Sequence, residues 1–201
     1  MIEIVTPPSA EPISSTEAKL HLRETATGQD SRIAIAIEGA RMAVEAMTGR
    51  AMITRTLKLS LPAFPAEIIL PQPPLASATQ VTSVKYVDTD GTEQTLVLDT
   101  DYRVLAPSGP QAAPGRVILA YDKTWPTPRT QPDAVRITFV AGYGSTGTSV
   151  PGPLREAMFL LLGDAYENRE GQIAGATISE NRAVQNLLWP FRANIPPMQW
   201  Y

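Results

Sequence analysis

Thirteen of the nineteen prolines lie between Pro62 and Pro153, and that clustering constrains the fold more than any other feature of the chain. Proline removes a backbone donor and breaks a helix interior, so it is tolerated in turns, on sheet edges and in the first turn of a helix. The middle of this chain therefore cannot hold long helices. Its apolar residues agree. From Met52, Ile53, Arg55, Leu57, Leu59 and Leu61 alternate with Thr54, Thr56, Lys58 and Ser60, the period of a half-buried strand. Further short strands are predicted at 68–70, 81–87, 94–98, 102–105, 116–120 and 135–141. Asp88-Thr89-Asp90-Gly91 reads as a hairpin turn. Residues 51–145 are assigned to one all-β unit, a small sandwich or a barrel-like sheet.

Both flanks are helical in pattern. Ser14-Ser15-Thr16-Glu17 is a capping box, with Ile13 and Ala18 as its hydrophobic staple, and opens a helix running to about Glu24. A second helix is predicted from Asp30, its cap, to Thr48, with Gly49 as its left-handed stop. Ile33, Ile37, Ala40, Val44 and Met47 form one apolar face. Ile35, Gly39, Met42 and Ala46 form a second, and Glu38, Arg41 and Glu45 share a polar strip. A helix apolar on two sides is packed on two sides, so Ile35 and Met42 need a partner in this chain or in another subunit. A third helix follows Pro151 and Pro153 with a stripe of Leu154, Met158, Leu161 and Ala165. Ser179 is read as the cap of a last helix carrying Val184, Leu187, Leu188 and Phe191, which Pro190 kinks or closes.

Neither helical flank is large enough to form a core alone. The predicted fold is α+β, a helical bundle of about four helices with an inserted all-β unit. Residues 1–50 and 146–193 supply the bundle, 51–145 the insertion, and 194–201 an extended C-terminal tail. Paired prolines stop the last helix before that tail, which carries Ile195, Met198, Trp200 and Tyr201. Aromatic and methionine side chains are enriched at interface hot spots, so these residues dock on another protein or fold back onto the core.

Composition narrows the function. Charged residues make up 18% of the chain, against about 25% in an average soluble domain. The net charge is −3, distributed as −2 over 1–50, 0 over 51–145 and −1 over 146–201, so no segment is a basic footprint for nucleic acid. There is no cysteine and one histidine, His21, which removes disulfides, thiolate chemistry and zinc sites built on several histidines. His21 sits in a helix pattern and reads as a helix-surface or partly packed imidazole. The first twelve residues lack the basic start and apolar run of a signal peptide. The longest apolar stretch, Ala157 to Leu162, is far short of the ~20 residues that span a bilayer. A soluble, intracellular product with no membrane partner is expected.

Three patterns resemble enzyme or metal motifs. Gly142-Tyr143-Gly144-Ser145-Thr146-Gly147 matches G-x-G-x-x-G after a predicted strand. Pro151 and Pro153, however, delay the helix whose amino end would hold a pyrophosphate, so the segment reads as a connector. Asp88, Asp90 and Glu93 lack the spacing and helices of a calcium-binding EF-hand. Asp99 and Asp101 read as solvated turn residues rather than an acid–base pair. Trp125, Trp189, Trp200 and Tyr201 are dispersed along the chain and make no evident stacking platform. The expectation is a protein that is not an enzyme and takes no cofactor and no metal.

Several short stretches form a set: Glu17-Ala18-Lys19 with His21-Leu22-Arg23, Ala43-Val44-Glu45-Ala46 with Thr48-Gly49-Arg50, Pro73-Pro74-Leu75 before Val81–Tyr86, and Asp101-Tyr102. Phe139–Gly144, Val150–Arg155, Tyr166–Glu170, Leu187-Leu188 and Pro190-Phe191-Arg192 complete it, over roughly residues 13–193. Taken together they resemble the phage head–tail connector (adaptor) family of head-completion proteins, often labelled DNA-packaging proteins. The resemblance implies a homo-oligomeric ring, a dodecamer under the usual portal symmetry, attached below the portal protein and meeting the next neck, head-closure or tail protein. Genomic DNA would pass through its lumen without sequence-specific contacts. It also implies a place in the virion neck, reached from the host cytoplasm during assembly, and makes the portal the first candidate for the tail's docking partner and a neighbouring subunit the second. The alternative is a DNA-packaging accessory protein that binds DNA directly.

Overall fold

The structure, a computed structural model, describes residues 1–25, 27–167 and 181–193. Helix α1 (Ser15–Leu22) begins as the capping box predicts: Ser14 Oγ accepts from the Glu17 N–H at 3.2 Å and Glu17 Oε2 accepts from the Ser14 N–H at 2.9 Å. Ile13 and Ala18 are both buried in the same core. The helix stops two residues earlier than predicted, because Arg23 turns left-handed at φ 54°. Helix α2 (Asp30–Thr48) has the predicted span and the predicted stop at Gly49, φ 68°. Asp30 is its first residue rather than its cap; Gln29 stands there and makes no side-chain capping bond.

Helix α3 (Gly152–Glu167) buries Leu154, Ala157, Met158 and Leu162. Leu161 is half-buried and Ala165 exposed, so the inward face is rotated from the predicted stripe toward Ala157 and Leu162. Helix α4 (Arg182–Leu188) is capped by Asn181, whose side-chain oxygen accepts from the Ala183 and Val184 N–H groups. Ser179, the predicted cap, lies outside the described residues. A 3-10 turn over Trp189–Phe191 contains Pro190 and closes the helix.

The strands form two antiparallel sheets. One has the order β1 (Ile2–Thr6), β2 (Arg55–Leu61), β8 (Val135–Ala141), β4 (Val81–Val87), β5 (Glu93–Leu96). The other has the order β3 (Ile68–Ile69), β7 (Arg116–Leu119), β6 (Tyr102–Leu105). The β4–β5 hairpin turns at Asp88–Gly91 as predicted: the Asp88 N–H donates to the Thr92 carbonyl, and Asp88 Oδ1 accepts from the Asp90 and Thr92 N–H groups. β1 is a strand that the sequence pattern did not assign. It comes from the expected helical flank and pairs with β2.

Two cores result. Ile33, Ile37 and Val44 of α2 pack with Leu154, Met158 and Leu162 of α3 and with Val184, Leu188 and Phe191, so the two flanks of the chain meet in one helical layer. Leu57, Leu59, Ile137, Phe139 and Val84 pack with Ile68, Leu70, Tyr102 and Val117 between the sheets. The crossing falls at Ala51–Ile53, where Ala51 belongs to the second core and Met52 and Ile53 to the first.

Candidate assembly interface

Two of the three residues in the predicted polar strip of α2 turn inward. Arg41 is 6% exposed. Its Nε donates to Glu11 Oε2 at 2.8 Å and its Nη1 to Glu45 Oε2 at 3.2 Å. Glu45 Oε1 accepts from the Met52 N–H at 2.9 Å and from Nη2 of Arg55, which is buried at the start of β2. Burial works against the Arg41 charge, but hydrogen bonding and Coulomb attraction from Glu11, and then from Glu45, outweigh it, and the guanidinium is held above its ordinary pKa. One ionic network thus fastens the segment before α1, the second half of α2 and the start of β2. It fixes how the helical layer sits on the sheet.

With α2 held this way, its second apolar face points outward. Ile35 is 71% exposed and Met42 57%, and Gly39 and Ala46 are exposed beside them. Met47, predicted for the inner face, is exposed. Thr48 takes the inner place, its hydroxyl donating to the Val44 carbonyl at 2.7 Å. Gly39 has ordinary helical backbone, and a Cβ added there meets nothing within 4 Å. A mid-helix glycine costs about 1 kcal/mol relative to alanine, and no described part of the subunit requires this one.

A second open apolar surface lies at β1. The strand registers place Ile4, Leu57, Phe139 and Val81 in one cross-strand row and Ile2, Leu59, Ile137 and Val84 in the next. Directly opposed residues share a face of the sheet, so Ile2 and Ile4 prolong the rows that form the second core. At β1 the rows lose their cover: Ile2 is 37% exposed and Ile4 50%. The opposite edge, β5, is polar. Its Glu93 takes Lys85 at 2.6 Å and Arg136 at 3.0 Å, the kind of charged edge that resists strand addition.

The enzyme-like patterns resolve into structural roles. Gly142 has φ 131°, and a Cβ there would lie 2.6 Å from the Thr54 nitrogen; a Cβ at Gly147 would run into the Pro12 carbonyl. These glycines let the connector after β8 pass against its own backbone. The Asp101 carboxylate accepts from the Val97 N–H at 2.8 Å, and Asp99 takes a left-handed turn position at φ 62°. His21 lies against Phe159, ring centroids 5.0 Å apart, on the outside of the helical layer. Among the described residues no three His, Asp or Glu side chains group as a metal site would need. Trp125 is less isolated than its position in the chain implied: it stacks on Phe64 at 4.7 Å, and Phe64 meets Tyr86 edge-on.

Ile195, Met198, Trp200 and Tyr201 lie outside the described residues. The chain leading to them is tied down, since the Ala193 N–H donates to the Thr48 carbonyl at 2.7 Å and Arg50 Nε donates to the Phe191 carbonyl.

No known family profile and no curated protein sequence matches the chain. Solved assemblies do. The chain is similar to one in the virion of a native gene transfer agent (GTA) particle, at 26% identity and a TM-score of 0.75, covering 96% of this chain and 95% of that one. It is also similar to one in the neck of an empty GTA particle computed with C6 symmetry, at 26% identity and a TM-score of 0.77, with both chains fully covered. A third likeness, again over the full length of both chains, is to one in the neck of a native GTA particle computed with C12 symmetry, at 25% identity and a TM-score of 0.72.

Proposed function

We propose that this chain is a structural protein of a virion-type particle neck, and within it a head–tail connector (adaptor) subunit that forms a ring below the portal and extends the DNA channel toward the tail. The observation that carries the proposal is the end-to-end likeness to chains in necks computed with sixfold and twelvefold symmetry. The subunit's own surface supports it: α2 presents an apolar face with no cover among the described residues, as a ring-forming subunit requires. In this reading 1–50, apart from β1, and 146–193 make the helical layer, 51–145 the inserted unit that β1 joins, and 194–201 reaches the portal with Ile195, Met198, Trp200 and Tyr201. Ile35 and Met42 lie between neighbouring copies. The role is mechanical rather than enzymatic.

Ile35→Asp tests the proposal. At an exposed position it leaves the melting temperature within the ordinary range for surface substitutions, while neck assembly, followed by electron microscopy of particles, fails. Loss of the subunit fold in this variant, or normal tailed particles carrying it, sinks the assignment of Ile35 to the interface.

A further inference from the structure

Resting on the ring reading, we infer that neighbouring copies join head to tail by seating the outer face of α2 from one copy on the uncovered β1 rows of the next. A contact between identical subunits related by a cyclic axis other than a twofold is heterologous: it needs two unlike, mutually fitting patches on each subunit. The two described above are of that kind. One is a helix face, with Ile35 and Met42 about 10 Å apart along the axis at ~1.5 Å per residue. The other is a sheet face, with Ile2 and Ile4 about 7 Å apart along the strand. A helix laid across a sheet is the ordinary way to bury both.

Three further observations select this pairing. Ile2 and Ile4 continue core rows whose inner members, beginning with Leu57, are fully buried, so the surface they need is another apolar layer rather than water. Gly39 lies midway between Ile35 and Met42, where its own subunit has no use for a missing side chain; it lets the backbone of α2 approach a flat sheet closely. The helix face is also the more open of the two, Ile35 at 71% and Met42 at 57% against 37% for Ile2 and 50% for Ile4, so it supplies most of the apolar area of the contact.

The absence of cysteine from the chain makes the test clean. Ile4→Cys, Met42→Cys and the double variant are treated with a short bis-maleimide and separated under denaturing conditions, and mass photometry of the unsubstituted chain shows whether rings form. The expected result is a ladder of covalent oligomers from the double variant alone, with each single variant remaining monomeric. Dimers from Met42→Cys alone mean that α2 meets α2 and overturn the inference. So do rings that yield no ladder, which leave the ring reading intact. A chain that forms no rings removes the ring reading, and this inference with it. As a second check, Gly39→Leu keeps the fold and weakens ring formation at least tenfold; rings as stable as those of the unsubstituted chain refute the close approach.

Discussion

Glu45→Ala is the sharpest probe of how the helical layer is held on the sheet. The Glu45 carboxylate receives Arg41, Arg55 and the Met52 N–H, and its side chain is 13% exposed against 8% for Arg41 and 5% for Arg55. Deleting it leaves the buried Arg55 guanidinium without its carboxylate, while Arg41 keeps Glu11 at 2.8 Å and the exposed Glu38 at 3.6 Å. Breaking a buried pair by removing one partner costs about 3–5 kcal/mol, a large part of the 5–15 kcal/mol that holds a typical protein folded. For a chain of this size each kcal/mol moves the melting temperature by about 2–4 °C, so a drop of roughly 10 °C is expected by scanning calorimetry. Glu45→Gln retains an acceptor for the Met52 N–H and loses only the charge, so its midpoint in urea falls between those of the unsubstituted chain and Glu45→Ala. A loss under about 1 kcal/mol in Glu45→Ala refutes the reasoning, because exposed ion pairs are worth no more than that.

The remaining predictions concern single positions. Gly142→Ala combines φ 131° with a Cβ 2.6 Å from the Thr54 nitrogen and destabilises by about 2 kcal/mol or more. Gly39→Ala, in open helix, stabilises the monomer by up to ~1 kcal/mol; urea denaturation of the two variants gives opposite signs. The Glu17 carboxyl is held below its ordinary value of 4.5 by hydrogen bonds from the Ser14 backbone and hydroxyl, against burial, with help from Arg155. A lowered folded pKa contributes stability above the unfolded value and loses it as pH falls through the folded value. Glu17→Gln therefore trails the unsubstituted chain by a constant margin from pH 7 to about 5, and the gap closes below 4.5.

Local chemistry was legible in the sequence wherever a few adjacent residues settle it. The Ser14–Glu17 box, the Gly49 stop, the Asp88–Gly91 turn and the proline-punctuated strands all depend on near neighbours, and all are found in the structure. What escaped depends on groups that arrive from elsewhere. Arg41 and Glu45 form a polar strip on a helical wheel, and nothing near them announces that Glu11 and Arg55 will close over it. Met47 and Thr48 exchange roles because a threonine hydroxyl satisfied by the Val44 carbonyl is as easily buried as a methionine. Ile2-Glu3-Ile4-Val5-Thr6 does carry an alternating strand pattern, but its partner is some fifty residues away and its side chains stay exposed, so periodicity gives it little weight. Of the candidate interface, the outward face of α2 was readable from helical spacing. The uncovered rows at β1 were not, because they exist only once the register with β2 is set.

The central position of β8 in its sheet governs how this protein can be made. β8 joins β2 to β4, yet among the described strands it is the last synthesised, and α3 and α4, which complete the helical core, follow it. Until the ribosome has passed residue 141, β2 lacks its inner neighbour; until about residue 162, α2 lacks its main packing partner. At ~5–20 residues per second, the apolar sides of α2 and β2 remain uncovered for about 5–20 s of translation. Folding is then triggered nearly at once by the final third of the chain. Truncated or stalled products therefore carry open apolar surface rather than a folded intermediate, and slowing translation after residue 61 raises aggregation more than slowing it after residue 167, when only α4 and the turn after it are missing from the helical core.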